Sequence, residues 1–181
     1  MSRVGLLAAV VCLVVIAGGC KGNKGNEVSD SILENEVVQS GNGDILLALD
    51  DAYLFNDDNN PDRNTAEWNF LVKNEGRYEV WLSSLTLDTM NLGYNVPVIV
   101  NFGDKRLEIQ PIGDEILLGN GADRPYFRAD SRAGSIYIND PGHYNIQVIS
   151  EKVLPGSVLK DGTARGIVTI LDQIKLKPLL N

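Results

Sequence analysis

An all-β fold, an antiparallel β-sandwich, is what this sequence predicts. Three observations carry the prediction. From Asp44 onward the chain breaks into short runs in which apolar and polar residues alternate, the period of a strand that buries one face. Turn-forming clusters such as Asn74-Glu75-Gly76, Gly103-Asp104 and Asp140-Pro141-Gly142 separate those runs, as hairpin connections require. No stretch after Asp44 carries a helical stripe of useful length, so the βαβ alternation of a parallel sheet is missing.

Taken in order, residues 44–49 and 52–55 read as two short strands. Trp68, Phe70 and Val72 then alternate with Asn69, Leu71 and Lys73, and Tyr78, Val80 and Leu82 with Arg77, Glu79 and Trp81. Val96, Val98 and Val100 form the next inward set, followed by Leu107 and Ile109. Gly134 opens a strand with Ile136 and Ile138. Tyr144, Ile146 and Val148 follow a turn, and the last strand covers about 166–177. Eight or nine such strands, each with one wet face, make a sandwich. Trp68 shares the inward register and belongs to the core. Trp81 is out of phase with its inward neighbours, so it either faces solvent or lies beneath a covering segment.

Composition narrows the function. The chain has 181 residues with 16 Lys+Arg against 24 Asp+Glu, a formal charge of −8. So acidic a balance argues against nucleic acid, whose phosphates are bound mainly by basic residues. Two cysteines and one histidine leave little material for thiol or zinc chemistry. No Ser-His-Asp set or metal-ligand cluster is visible, and the lone His143 reads as a turn residue, so a non-enzymatic role is expected.

The N-terminus predicts export. Arg3, an uncharged apolar run over 4–17 and small residues up to Gly19 form a secretory signal, too short for the ~20 residues of a membrane-spanning helix. Ala17-Gly18-Gly19-Cys20 resembles a bacterial lipobox, although Ala17 stands where leucine is commonest. The resemblance implies lipid attachment at Cys20 and a domain tethered to a membrane of the bacterial cell envelope. Cys12 would leave with the signal, and the single remaining cysteine allows no intrachain disulfide. The expected organisation is a signal peptide over 1–19, a tether over 20–43 and a sandwich over 44–181. The Gly, Asn and Ser content of the tether is that of a flexible spacer. Its segment 29–40 fits either a short amphipathic helix or a disordered tether.

The strand motifs taken together resemble a family. Trp68-x-Phe70-x-Val72, Gly76-x-Tyr78-x-Val80-x-Leu82, Val96-x-Val98-x-Val100, Gly142-His143-Tyr144 and Leu171-Asp172-Gln173-Ile174 are similar, in order and spacing, to the galactose-binding-like jelly roll. They are closer still to carbohydrate-binding modules of families 6 and 35 and to the modules appended to bacterial fucosidases. The similarity covers roughly 44–178. It implies non-catalytic binding of a glycan or glycoconjugate, with any glycan-degrading enzyme a separate partner. It also implies a sugar site in the loops at one end of the sandwich and a structural calcium.

Sugar C–H faces pack on aromatic rings while carboxylate, amide and guanidinium groups take the hydroxyls. Two loops offer such material: 88–95 with Asn91 and Tyr94, and 119–130 with Asp123, Arg124 and Tyr126. Tyr126 and Phe127 can equally begin a strand and pack. An exposed Trp81 would be a second platform. By the resemblance, Asp50 and Asp172 would be calcium ligands, although Ala48 replaces the first of the two glutamates expected in the opening strand. Asp57, Asp58, Asn60, Asp62 and Asn64 also alternate as calcium ligands do, but Arg63 and Asn69 stand where an EF-type loop needs Gly and Glu, and a solvated connector fits as well. The alternative function is a structural or assembly lipoprotein whose sandwich binds another envelope protein, since fold does not fix function.

Overall fold

The computed structural model describes residues 36–117, 125–154, 166 and 168–179. Cys20, Asp123 and Arg124 lie outside them, as do the signal and most of the tether. Eleven strands occur among the described residues: β1 (Val37–Val38), β2 (Ile45–Ala48), β3 (Tyr53–Phe55), β4 (Thr65–Val72), β5 (Gly76–Thr86), β6 (Val98–Phe102), β7 (Lys105–Ile109), β8 (Glu115–Leu117), β9 (Phe127–Ile138), β10 (Gly142–Ile149) and β11 (Thr169–Pro178). They form two sheets. One has the order β1-β4-β10-β6-β7 with β3 also on β4, and the other β2-β11-β5-β9-β8. Every pairing is antiparallel except β1 on β4. The β-sandwich that the alternation predicts is the fold of this chain.

The apolar members of each run face the partner sheet. Trp68, Phe70, Tyr78, Leu82, Ile136, Ile146 and Ile174 are fully enclosed, and each such side chain contributes about 1.5–3 kcal/mol by leaving water. Trp68 keeps its indole N–H satisfied by donating to the Ala48 carbonyl at 2.6 Å. Gly134 of β9 adopts φ +141°, and a Cβ there would sit 3.3 Å from Leu107 of the other sheet. Two β-bulges interrupt the second sheet, one at Val80/Trp81 against β9 and one between Leu171 and Gln173 on β11. A bulge re-aims side chains, and the second sets Asp172 beside Arg128.

Three expectations change. Short 3₁₀ turns occur at Leu49–Asp51 and Pro61–Arg63, ending the first strand earlier than expected. Val96 precedes β6, so its apolar side chain extends the pattern but not the ladder. The third change concerns 36–40, which are not helical. Val37 and Val38 pair in parallel with Phe70 and Leu71. The buried Gln39 side chain accepts from the amides of Lys73 and Asn74 and donates to Gly43 O and Tyr78 Oη. A fully bonded buried amide holds its segment in place, so ordered pairing begins before Asp44.

Candidate functional site

The two sheets present outward faces of different chemistry. On the second sheet a group of outward positions is charged and paired. Arg128 donates to Asp172 at 2.6 Å and to Ser83 at 2.9 Å. Lys175 donates to Asp130 at 2.5 Å. Arg132 meets Glu79 at 2.8 Å, the Trp81 indole N–H donates to the same carboxylate at 3.2 Å, and the Lys177 ammonium lies 4.6 Å from the Trp81 ring centroid. The hydrogen bond from Trp81, reinforced by Arg132, holds the Glu79 carboxyl below its usual range. Asp130 is fully buried, and Trp81, Arg128 and Lys175 are each only 8% exposed.

On the first sheet the outward positions are mostly uncharged and planar. Glu67 and Asn69 on β4, Asn145 and Gln147 on β10 and Asn101 on β6 alternate with the inward core residues. Asn145 donates its amide to Glu67 Oε1 at 2.9 Å and to Asn69 Oδ1 at 3.0 Å, and Asn101 donates to Gln147 Oε1 at 3.0 Å. Among the described residues these bonds leave Asn69 Nδ2, Asn145 Oδ1, Gln147 Nε2, Asn101 Oδ1 and the second Glu67 oxygen unpartnered. A cavity of about 610 Å³ opens here, lined by Glu67, Asn101, Asn145 and Gln147 together with Phe102 and Tyr144. The Phe102 and Tyr144 rings stack with centroids 5.6 Å apart, and Tyr144 Oη donates to Asp140 O at 2.6 Å. Tyr137, 54% exposed, stands at the rim. Donors and acceptors therefore converge on one space, as recognition of a polyhydroxylated molecule requires.

His143 also lines this cavity. Its Nδ1 lies 2.5 Å from Glu36 Oε1, tying the chain just before β1 to β10. Sequence alone offers no sign of that partner, because Glu36 falls within the expected tether.

Of the residues predicted for the loop site, Asn91, Tyr94 and Tyr126 are among the described ones, and they stand in different surroundings. Tyr94 is buried, its hydroxyl 2.8 Å from Ser84 Oγ, and burial pushes its phenol pKa up. Its ring thus packs in the core, because 88–95 folds back over the end of the sandwich. Asn91 is exposed, but its Oδ1 accepts the Gly93 amide at 2.9 Å, closing a turn. It lines a second cavity of about 450 Å³ with Asp88, Glu151 and Lys152. Tyr126 is half-buried just ahead of β9. Trp81 takes the covered alternative, with Lys177 over its ring.

Asp172 is held by the Arg128 guanidinium, the cation that answers its charge. Asp50 is exposed in the 3₁₀ turn after β2. Among the described residues no three His, Cys, Asp or Glu side chains converge. Asp57 instead accepts hydrogen bonds from Asn59 and Asn60 within its own loop.

Comparison with solved structures agrees with this architecture. An alpha-L-fucosidase from Vibrio sp. strain EJY3 matches with a TM-score of 0.63 at 20% identity, over 81% of this chain and 24% of the fucosidase. The GH26-CBM35 beta-(1,4)-mannanase of Podospora anserina matches with a TM-score of 0.47 at 12% identity, over 77% of this chain and 28% of the mannanase. The chain thus spans about a quarter of the length of each. The likeness to the fucosidase is one of fold. No protein-family model matches the chain, and neither does any curated protein sequence.

Proposed function

We propose that this chain is a carbohydrate-binding domain that contacts sugar through the outer face of its first sheet, without making or breaking a bond. The observation that carries the reading is the convergence of Glu67, Asn101, Asn145 and Gln147 on one cavity. Amides both donate and accept, as vicinal hydroxyls demand. The fold supports the reading, since a domain of this architecture occurs within a protein named alpha-L-fucosidase.

Calorimetry against a panel of soluble glycans tests the proposal. Binding by the wild-type domain and its loss in Asn145→Ala and Gln147→Ala are expected. A folded domain that binds no glycan, or binds equally well in both variants, refutes the assignment. Protein docking is the competing reading. It has Phe55 in its favour, a ring 60% exposed on β3. Lipid attachment at Cys20 belongs to the same proposal: Cys20→Ser is expected to move the protein from the membrane to the soluble fraction.

A further inference from the structure

We propose that the ligand is a glycan chain lying across the strands, rather than a single terminal sugar held in the cavity. This rests on the carbohydrate-binding reading and extends it to a substrate class. Strand register puts Tyr53 opposite Glu67, Glu67 opposite Gln147, Gln147 opposite Asn101, and Asn101 opposite Arg106. These five residues therefore form one continuous row over β3, β4, β10, β6 and β7. All five occupy outward positions, because the residues beside them in each strand (Leu54, Ala66, Trp68, Ile146, Val148, Val100, Phe102 and Leu107) pack toward the core.

Adjacent strands lie ~4.8 Å apart, so four intervals span roughly 19 Å, the reach of several linked pyranose rings rather than one. The cavity contains only the middle of this row, Glu67, Gln147 and Asn101. Beyond it the row continues to an aromatic side chain at one edge, Tyr53 at 43% exposure, and to a guanidinium at the other, Arg106, whose side chain is 57% exposed. Arg106 has a neighbour in Glu108 at 3.6 Å, itself 57% exposed, and such a surface pair is weak enough to yield to a ligand. The Glu67 and Arg106 charges offset each other along the row, which suits an uncharged chain. A single sugar would engage the middle residues alone. Successive rings add contacts without a further loss of translational and rotational freedom, so affinity climbs with chain length until the row is filled.

The test is calorimetry with xylo-, manno- and cello-oligosaccharide ladders from monosaccharide to hexasaccharide, with fucose as a further single sugar. For the series that binds, affinity is expected to rise at least tenfold from monosaccharide to tetrasaccharide and then level off. Tyr53→Ala and Arg106→Ala, both outside the cavity, are expected to lower tetrasaccharide affinity several-fold and leave monosaccharide binding unchanged. Asn101→Ala should weaken both. Binding that is independent of length, or unaffected by the two edge variants, overturns the chain-length proposal while the carbohydrate reading stands, provided Asn145→Ala still abolishes it. No binding by any ladder or by fucose overturns both.

Discussion

The outer faces of the two sheets are built from the same alternation and end in opposite chemistry. On the β2-β11-β5-β9-β8 sheet, Arg128, Asp130, Asp172 and Lys175 are matched charge against charge and largely withdrawn from water. On the β1-β4-β10-β6-β7 sheet, Asn69, Asn101, Asn145 and Gln147 are only partly satisfied by one another and remain accessible. Matched buried charges fix structure, because separating them strands a charge away from water. Half-satisfied accessible amides leave bonds for a ligand to make, at little cost to stability. The difference teaches which face to perturb for folding and which for binding.

The comparison breaks most visibly at Asp130. Asp130→Ala leaves the Lys175 ammonium buried beside no carboxylate, and a loss of about 3–5 kcal/mol is expected by urea unfolding. Replacing both partners, Asp130→Leu with Lys175→Met, should recover most of that loss. If the single variant unfolds with the wild-type midpoint, the paired face is not structural.

Tyr94→Phe is expected to remove about 1 kcal/mol with its hydrogen bond to Ser84. Its pH signature is more specific. The folded phenol titrates above its usual value of 10.0, so its contribution is complete below that pH and lost as pH rises further. Tyr94→Phe should flatten the alkaline decline seen in a thermal melt series.

Glu79 works in the other direction. Its folded pKa lies below the usual 4.5, so its contribution is present above that pH and fades as pH falls through the folded value. In Glu79→Gln the acid-side decline of stability should be shallower than in the wild type, by acid titration followed with tryptophan fluorescence. An identical decline would mean that the Trp81–Glu79–Arg132 cluster does not couple to folding.

The smallest effect on stability belongs to the other face. Asn145→Ala should change unfolding free energy by no more than about 0.5 kcal/mol, even though it removes the central donor of the amide cluster. A loss of several kcal/mol there would mean that the amides hold the sheet together.

Much of the core was legible residue by residue. Trp68, Phe70, Tyr78, Val80, Ile136 and Ile146 lie inside because strand period is a local property of the chain. The site was legible only in fragments. Glu67-x-Asn69 and Asn145-x-Gln147 stand out as amides and carboxylate on outward positions, but their pairing across β4 and β10 joins positions 76 to 78 residues apart. Tyr94 misled because a tyrosine in a polar loop looks like a platform until the loop is seen to fold back on Ser84. Glu36 was hidden by tether-like composition, and its meeting with His143 depends on β1 docking against β4.

By itself the sequence determined that this chain would form two-faced strands and which of their residues would be inside. Those properties follow from local alternation and composition. Only the tertiary structure decided which outward residues became neighbours. It set Arg128 beside Asp172 through a bulge, and it aligned Tyr53, Glu67, Gln147, Asn101 and Arg106 in one row. Strand order and register are set by the mutual burial of all the inward faces at once, and no single segment encodes them.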